Sequence, residues 1–259
     1  MKIAVMSPSR DQGITTVSVL LGLTLAQTQG QSVCLTHSGI DSFSLDSYLG
    51  ISKYNDKTKS ITQIIRLLET HAISGNDIAD YCTKIENNFE LLNTAAPDVN
   101  GEESAKLLKF VIPNLNHDIV ITDVKTELWE ETTQQTLQTA DVIIIVLSQN
   151  IQTVKKLEAW KASEYYAAIH GKPTMYIINK FDGYVSSFRD FTKLAGLKHI
   201  QCCKISYSPY IKKTANLGKL HTLLPYIIER DVRVCELNND LKECMQVIMA
   251  HMGKRCNWR

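Results

Sequence analysis

The loop after the first apolar run contains residue types that bind phosphate. Positions 7–16 read S-P-S-R-D-Q-G-I-T-T. A glycine lets backbone N–H groups approach a phosphate, and a nearby Ser or Thr hydroxyl can hold Mg²⁺. Gly13, Thr15 and Thr16 therefore predict a site for nucleotide phosphates, with Thr15 as a Mg²⁺ ligand. Such a site also needs a cation facing the phosphates, and Arg10 is the one basic residue in this loop.

The same loop has features that weaken a phosphate site, so three interpretations stay open. Asp11 adds a negative charge close to where phosphate would lie. In the first interpretation, Arg10 compensates and the protein is an active ATP-dependent switch. In the second, the loop is a strand-to-helix turn retained for folding, with Thr15 capping the helix. The third is weak binding of ATP or ADP with Mg²⁺, without efficient hydrolysis; the absence of any nucleotide is equally compatible with the loop.

Two further polar groups follow later apolar runs. Asp123 ends the run 118–122 and could hold Mg²⁺ through water, although a strand-end Asp can also cap the next turn. Residues 179–182 read N-K-F-D, the N-K-x-D pattern in which Asn179 and Asp182 would contact a purine edge. The alternative is a strand-end turn that uses both side chains for local hydrogen bonds.

Short, nearly continuous apolar runs alternate with helix-length segments, which is typical of a parallel sheet with both faces buried. This alternation predicts an α/β fold, a doubly wound and mostly parallel sheet with helices on both faces. In such a sheet, ligands bind beyond the carboxyl ends of the strands. Segment 58–81 fits least well and is interpreted as a helical insertion. Predicted strands cover 2–6, 32–36, 89–92, 118–122, 142–147, 174–178 and 201–205, and predicted helices cover 15–27, 61–70, 103–111, 132–139, 153–169, 188–195 and 231–252.

The phosphate loop resembles that of a known family. The run G-I-T-T-V-S-V-L-L-G-L-T-L at 13–25 is similar to the opening of the first helix in the ParA/MinD family of P-loop ATPases, whose deviant Walker A loop reads KGGxGK[ST][ST]. Residues 9–16 keep the last glycine and both hydroxyl residues of that pattern. Ser9 stands at the signature lysine and Ile14 at the Walker lysine. The resemblance implies a P-loop fold whose loop lacks two cations that stabilise the charge developing in phosphoryl transfer.

The resemblance extends over nearly the whole chain. It implies that Asp123 occupies the Walker B-like position and that Asn179 contacts adenine. It also implies that Ser208 and Pro209 lie beside the base pocket. The acidic switch that the family carries after its second strand is missing, because positions 35–39 read L-T-H-S-G. The similar segments are 44–51, 117–123, 140–146, 205–213 and 216–219.

The composition is that of a globular protein. The 259 residues are 44% hydrophobic, and 28 basic residues balance 27 acidic ones, which disfavours a whole-protein nucleic-acid footprint. The seven cysteines form no CxxC pair, and no signal-peptide pattern or apolar stretch approaching the ~20 residues of a membrane span is present. We therefore expect a cytoplasmic protein. Adjacent Cys202 and Cys203 are predicted to alternate across a strand.

The chain is predicted to divide into a P-loop NTPase-like domain, 1–230, and a C-terminal amphipathic helix and tail, 231–259. An apolar stripe recurs every three or four residues along this helix. We expect the stripe to pack on the same domain, with peripheral membrane contact or a partner surface as alternatives. The stripe consists of Val234, Leu237, Leu241, Met245, Ile248 and Met252.

Three functional hypotheses follow. The first is a degenerate ParA/MinD-like localisation or assembly scaffold with weak or no ATP hydrolysis, a pseudo-ATPase. Within the family it resembles the TadZ/CpaE branch, which implies protein partners in a pilus, secretion or positioning machinery at the membrane or cell pole, and a homodimer that depends little on ATP. The second is the active switch that relies on Arg10. The third, a DNA-binding partition ATPase, is disfavoured by the balanced charge and the missing lysines.

Overall fold

Eight strands form one sheet in the order β3-β4-β2-β5-β1-β6-β7-β8. A computed structural model describes residues 1–39, 44–51, 61–94, 102, 106–124, 126–127, 129–167, 169–229 and 231–258. Every neighbouring pair is parallel except the edge pair β3 and β4. The strands are β1 (Lys2–Met6), β2 (Val33–His37), β3 (Thr83–Glu86), β4 (Phe89–Leu91), β5 (Ile119–Asp123), β6 (Val142–Ser148), β7 (Thr174–Phe181) and β8 (Cys202–Ser206).

Helices lie on both faces of this sheet, as predicted for a doubly wound fold. The α-helices within the described ranges are α1 (Ile14–Gln29), α2 (Ser44–Leu49), α3 (Ile61–Glu69), α4 (Glu131–Thr139), α5 (Ile151–Lys161), α6 (Glu164–Ala167), α7 (Phe188–Leu194), α8 (Pro209–Asn216), α9 (Leu224–Ile228) and α10 (Cys235–His251). Shorter 3-10 turns occur at Gly75–Tyr81, Ile112–Asn114, His199–Gln201, Leu220–Leu223 and Val232–Val234, and a π-helical turn occurs at Leu107–Val111.

The two faces of the sheet bury separate apolar cores. Alternate residues of β1 show this, since Ile3 and Val5 pack with α1 and α10 while Ala4 and Met6 pack on the opposite side. Side chains of successive strand residues point to opposite faces. An apolar run buried on both faces is therefore what the sequence of a central strand must supply.

The stripe on α10 is buried within the core that α1 also lines. Val234, Leu237, Leu241, Met245 and Ile248 are all buried there, and Met252 packs partly against them. The helix contacts both α1 and β8. The stripe therefore faces the interior of this α/β unit rather than solvent. In the part of the chain that the structure describes, no helix combines the length and apolar character required to cross a membrane.

The predicted strands are all present, and their ends shift by at most three residues. Edge strand β3 was not predicted, because its sequence T-K-I-E has a single apolar residue and no run to detect. The helix predicted at 153–169 is two helices, α5 and α6, that are separated at Ala162 and Ser163. Of the helix predicted at 103–111, the structure describes a π-helical turn from Leu107, and residues 103–105 lie outside the described residues.

The predicted insertion at 58–81 is helical where it is described. It comprises α3 and the 3-10 turn at Gly75–Tyr81, while residues 52–60 lie outside the described part. Cys202 and Cys203 do alternate across β8, since each belongs to the apolar core of a different face.

Candidate functional site

The loop between β1 and α1 has a constrained backbone. Asp11 and Gly13 both have positive φ, at 63° and 84°. A Cβ atom at Gly13 would lie 2.4 Å from Nδ2 of Asn179, so only glycine fits this position. The same Nδ2 donates a hydrogen bond of 2.7 Å to the carbonyl oxygen of Gln12. Buried Asn179 therefore holds the loop from the end of β7, and its amide is already engaged in doing so.

Gln12 fixes the loop from the other side, and sequence reasoning missed it. Its buried side chain donates from Nε2 to the Arg10 carbonyl oxygen at 2.8 Å. Its Oε1 accepts from the Ser148 backbone N–H at 2.8 Å and from the Thr153 hydroxyl at 3.2 Å. The loop is thus tied to the end of β6 and the start of α5. No motif marks this glutamine, because its partners are distant in sequence.

The two predicted Mg²⁺ ligands are brought together. The Thr15 hydroxyl donates a hydrogen bond of 2.6 Å to Oδ2 of Asp123 at the end of β5. Burial raises the pKa of the Asp123 carboxyl, while neighbouring His37 and the bond from Thr15 oppose the rise. A hydroxyl and a carboxylate are ligand types that suit Mg²⁺. Thr15 does not cap the helix, because the N-cap residue is Gly13, which has no side chain.

A cavity of about 540 Å³ opens beside this pair, and its lining is acidic. Four carboxylates line it, those of Asp11, Asp123, Glu127 and Glu130. Ile14 also lines it. None of the described residues that line this cavity is a lysine or an arginine. A polyphosphate would meet net repulsion there, so these side chains do not fit a triphosphate by charge.

Arg10, the predicted replacement cation, is engaged elsewhere. Its guanidinium forms an ion pair with Glu127, in the segment after β5. The side chain remains mostly exposed, and Arg10 is not among the described residues that line the acidic cavity. Its charge therefore neutralises one carboxylate at the cavity rim.

Two lysines from other elements reach the outside of the loop. Nζ of Lys156, on α5, donates to the Ser9 hydroxyl at 3.2 Å, and Nζ of Lys180 donates to the Asp11 carbonyl oxygen at 3.1 Å. The sequence resemblance predicts that Ser9 occupies the signature-lysine position. Lys180 belongs to the N-K-F-D segment, which provided a sequence signal, whereas nothing in the sequence associates Lys156 with this loop.

A second cavity, of about 370 Å³, lies on the other side of the loop. Thr16, Asn179, Lys180 and Ser208 line it, together with Tyr207. The segment that resembles the family's base-pocket segment therefore does lie next to the phosphate loop. The mixture of polar groups, the aromatic rings of Tyr48 and Tyr207, and apolar carbons could accept a small polar ligand.

Ser208, Pro209 and Asp182 also have local structural roles. The Ser208 hydroxyl accepts a hydrogen bond from the Ile211 N–H at 3.5 Å as the N-cap of α8, whose first residue is Pro209. Oδ1 of exposed Asp182 accepts from the Tyr184 N–H at 2.9 Å. Neither Asp182 nor Pro209 is among the described residues that line the two cavities. These contacts match the turn and cap interpretation.

The overall fold is shared with solved structures. A chain of the MinC:MinD cell division protein complex of Aquifex aeolicus matches with a TM-score of 0.68 and 18% identity, covering 98% of this chain and 96% of that chain. A putative plasmid partition protein of Borrelia burgdorferi bound to AMPPNP matches with a TM-score of 0.70 and 17% identity, covering 96% and 98%. The cell division ATPase MinD of Pyrococcus furiosus also has a TM-score of 0.70, at 14% identity.

These likenesses show that the chain has the fold of MinD and ParA P-loop ATPases. No protein-family model matches the sequence. No curated protein matches it either. Identities below 20% establish the architecture, whereas the chemistry has to be argued from the site itself.

Proposed function

We propose that this ParA/MinD-like protein is a localisation or assembly scaffold that binds protein partners and hydrolyses ATP weakly or not at all. One observation carries the proposal, namely the acidic cavity at the phosphate loop. Phosphoryl transfer relies on cations that face the charge developing on the transferred group. The described lining supplies four carboxylates and the alkyl side chain of Ile14 instead.

The surface at the carboxyl ends of the strands, where this loop lies, also supports a partner-binding role. Large apolar side chains are exposed beyond the carboxyl ends of β5, β6, β7 and β8, either in the loop or at the start of the following helix. Isolated exposed apolar residues are ordinary, but a concentration on one edge marks an interaction surface. These residues, the carboxyl-edge surface, are Trp129, Ile151, Tyr184, Val185, Tyr207 and Tyr210.

The partner that we propose is a component of a pilus, secretion or related positioning machinery. The resemblance to the TadZ/CpaE branch motivates this choice, and one structural neighbour is itself recorded in a complex, MinC:MinD. The proposal places the protein in the cytoplasm, recruited to the membrane or cell pole through its partner. The α10 stripe is occupied by the core, which disfavours α10 as a membrane anchor.

Titration calorimetry with ATP, ADP and GTP, with and without Mg²⁺, tests the proposal. We expect the full chain to show no micromolar Mg²⁺-dependent binding and no phosphate release above a buffer blank. Ile14→Lys restores a cation at the cavity, and we expect it to strengthen ATP binding roughly tenfold or more, since a charge-assisted hydrogen bond contributes about 1.5–3 kcal/mol. Ile14→Met, which keeps the volume without the charge, is the matched control.

An ATP-dependent switch is the second candidate, and a different observation favours it. Lys156 and Lys180 place two ammonium groups against the loop, and Thr15 and Asp123 are in contact as a Mg²⁺ site would require. Tight Mg²⁺-dependent ATP binding by the unmodified chain, lost in Lys156→Ala or Lys180→Ala, would establish this candidate and overturn the scaffold proposal.

A further inference from the structure

Two cysteines and a histidine meet within one apolar core of the sheet, close to the amino ends of β2 and β5 and away from the phosphate loop. Cys34 lies near the start of β2, Cys82 directly precedes β3, and His117 precedes β5. One ligand atom from each residue lies within 4.8 Å of the other two. The opposite, carboxyl end of β2 lies beside the acidic cavity, where His37 pairs with Asp123 in the strand register. The cluster is therefore separate from both cavities described above.

The distance between the sulfur atoms matches a metal site. The two Sγ atoms are 3.9 Å apart. Two thiolates bound to one tetrahedral Zn²⁺ with Zn–S bonds of about 2.3 Å are separated by about 3.8 Å. A disulfide requires about 2.05 Å between sulfurs. The pair thus has the spacing of two ligands that share an ion, in the absence of a covalent bond between them.

The histidine has the hydrogen bonding that a metal-bound imidazole needs. Its Nε2 lies 2.9 Å from Oε2 of Glu90, on β4. Its Nδ1 is buried and has no hydrogen-bond partner among the described residues, although the side chain of His117 is only 5% exposed. Metal-binding histidines commonly donate the N–H of one ring nitrogen to a carboxylate, which orients the other nitrogen towards the ion. A buried nitrogen without a partner is costly unless something binds it.

We propose that Cys34, Cys82 and Nδ1 of His117 bind a Zn²⁺ ion, with Glu90 orienting the imidazole and water completing the tetrahedron. Thiolate and imidazole ligands favour Zn²⁺ over Mg²⁺ or Ca²⁺. Bound Zn²⁺ links the start of edge strand β3 to β2 and to the segment before β5.

Another buried thiol pair in the chain lacks the imidazole and serves as a matched control. Cys203, on β8, and Cys244, on α10, are both buried and hydrogen-bonded to each other. No histidine or carboxylate joins them in a three-ligand group within the described residues. The proposed site is therefore distinguished by His117 and Glu90 and not merely by two adjacent thiols.

Co²⁺ and Zn²⁺ titration of the reduced full chain tests the site. We expect one ion per chain, thiolate-to-Co²⁺ charge-transfer absorption that Zn²⁺ abolishes, and a higher thermal midpoint with Zn²⁺. Cys34→Ser, Cys82→Ser and His117→Gln should abolish the absorption, whereas Cys244→Ser should retain it.

Glu90→Gln separates the proposal from a structural role for the thiols. It leaves all three ligands in place, and we expect Zn²⁺ affinity to fall about 10–100-fold with the charge-transfer band preserved. Circular dichroism of each apo variant checks folding. Absence of a charge-transfer band in the folded parent chain overturns the proposal, as does Co²⁺ binding that survives in folded His117→Gln. Formation of a Cys34–Cys82 disulfide with no metal uptake in the reduced state also overturns it.

Discussion

Gly13 combines a backbone and a packing constraint at one residue. Its φ of 84° disfavours any side chain, and a Cβ would meet Asn179. Gly30, at the other end of α1, has a φ of 63° but nothing within 4 Å of the added Cβ. We expect Gly30→Ala to lower the free energy of unfolding by about 1–2 kcal/mol and Gly13→Ala by about 2–5 kcal/mol. Equal losses in urea unfolding would show that the Asn179 contact contributes nothing.

Asp123 should make stability depend on pH. Its folded pKa is raised above the ordinary value of 3.8, so the folded state binds the proton more tightly than the unfolded state. Stability from this group is present at low pH and is lost as pH rises from about 4 through the raised pKa. We expect Asp123→Asn to match the parent chain near pH 4 and to melt a few degrees higher at pH 7.

The Asp123→Asn comparison has a built-in control. Asp182→Asn changes an exposed carboxylate that also follows a strand end, and it controls for the loss of one negative charge. His37 and Thr15 are the groups that oppose the shift at Asp123. A lower melting temperature for Asp123→Asn at pH 7 would mean that their attraction outweighs the cost of burying the charge.

Among the elements, the central strands could be predicted and the edge could not. β1, β5 and β6 consist mostly of apolar residues because both of their faces are covered, so their composition identifies them. β3 pairs with only one other strand and its residues are partly exposed, so its positions do not all require apolar side chains. The break between α5 and α6 was also missed, because apolar periodicity continues across it.

Within the site, sequence reasoning found residues whose types carry chemistry and missed those that act through contact. Thr15, Gly13 and Asp123 follow from a motif and its spacing. Gln12 and Lys156 reach the loop only because β6 and α5 fold beside it. Contacts over such sequence separations depend on tertiary packing, which local pattern does not encode.

The helix α10 should contribute a large share of stability through its buried stripe. Leu241 is fully buried in the core shared with α1, and removing its side chain leaves a cavity. We expect Leu241→Ala to cost about 2–5 kcal/mol of unfolding free energy. Leu194→Ala, at a residue of α7 that is 58% exposed, should cost less than about 1 kcal/mol. Similar losses in the two variants would show that α10 packs loosely and that its stripe is available to another surface.

At the scale of the whole molecule, the parallel sheet has two chemically different edges. The carboxyl edge carries the phosphate loop, the acidic cavity and the exposed apolar side chains. The amino edge carries the thiol–imidazole cluster. The parallel strands permit this separation, because the loops after them emerge at one end and the loops before them at the other, whereas β3 runs in the opposite direction. Substitutions at the amino edge should therefore leave binding at the carboxyl edge unchanged.

The carboxyl-edge surface should mediate self-association that does not need ATP. Trp129 and Tyr184 lie on loops after β5 and β7, and both side chains are exposed, that of Tyr184 completely. Aromatic residues dominate interface energies, so we expect Trp129→Ser and Tyr184→Ser to raise the homodimer dissociation constant roughly tenfold or more. Sedimentation equilibrium over a range of concentrations measures this constant. The proposed scaffold function does not depend on nucleotide, so adding ATP and Mg²⁺ should leave this constant unchanged.

Ile200 provides the control for that experiment. It is 85% exposed but precedes β8, so it lies at the amino edge, and Ile200→Ser should leave the dissociation constant unaltered. An equal effect of Ile200→Ser would show that association follows exposed apolar area rather than one defined edge. A parent chain that stays monomeric at every concentration would contradict the prediction that the carboxyl-edge surface mediates self-association.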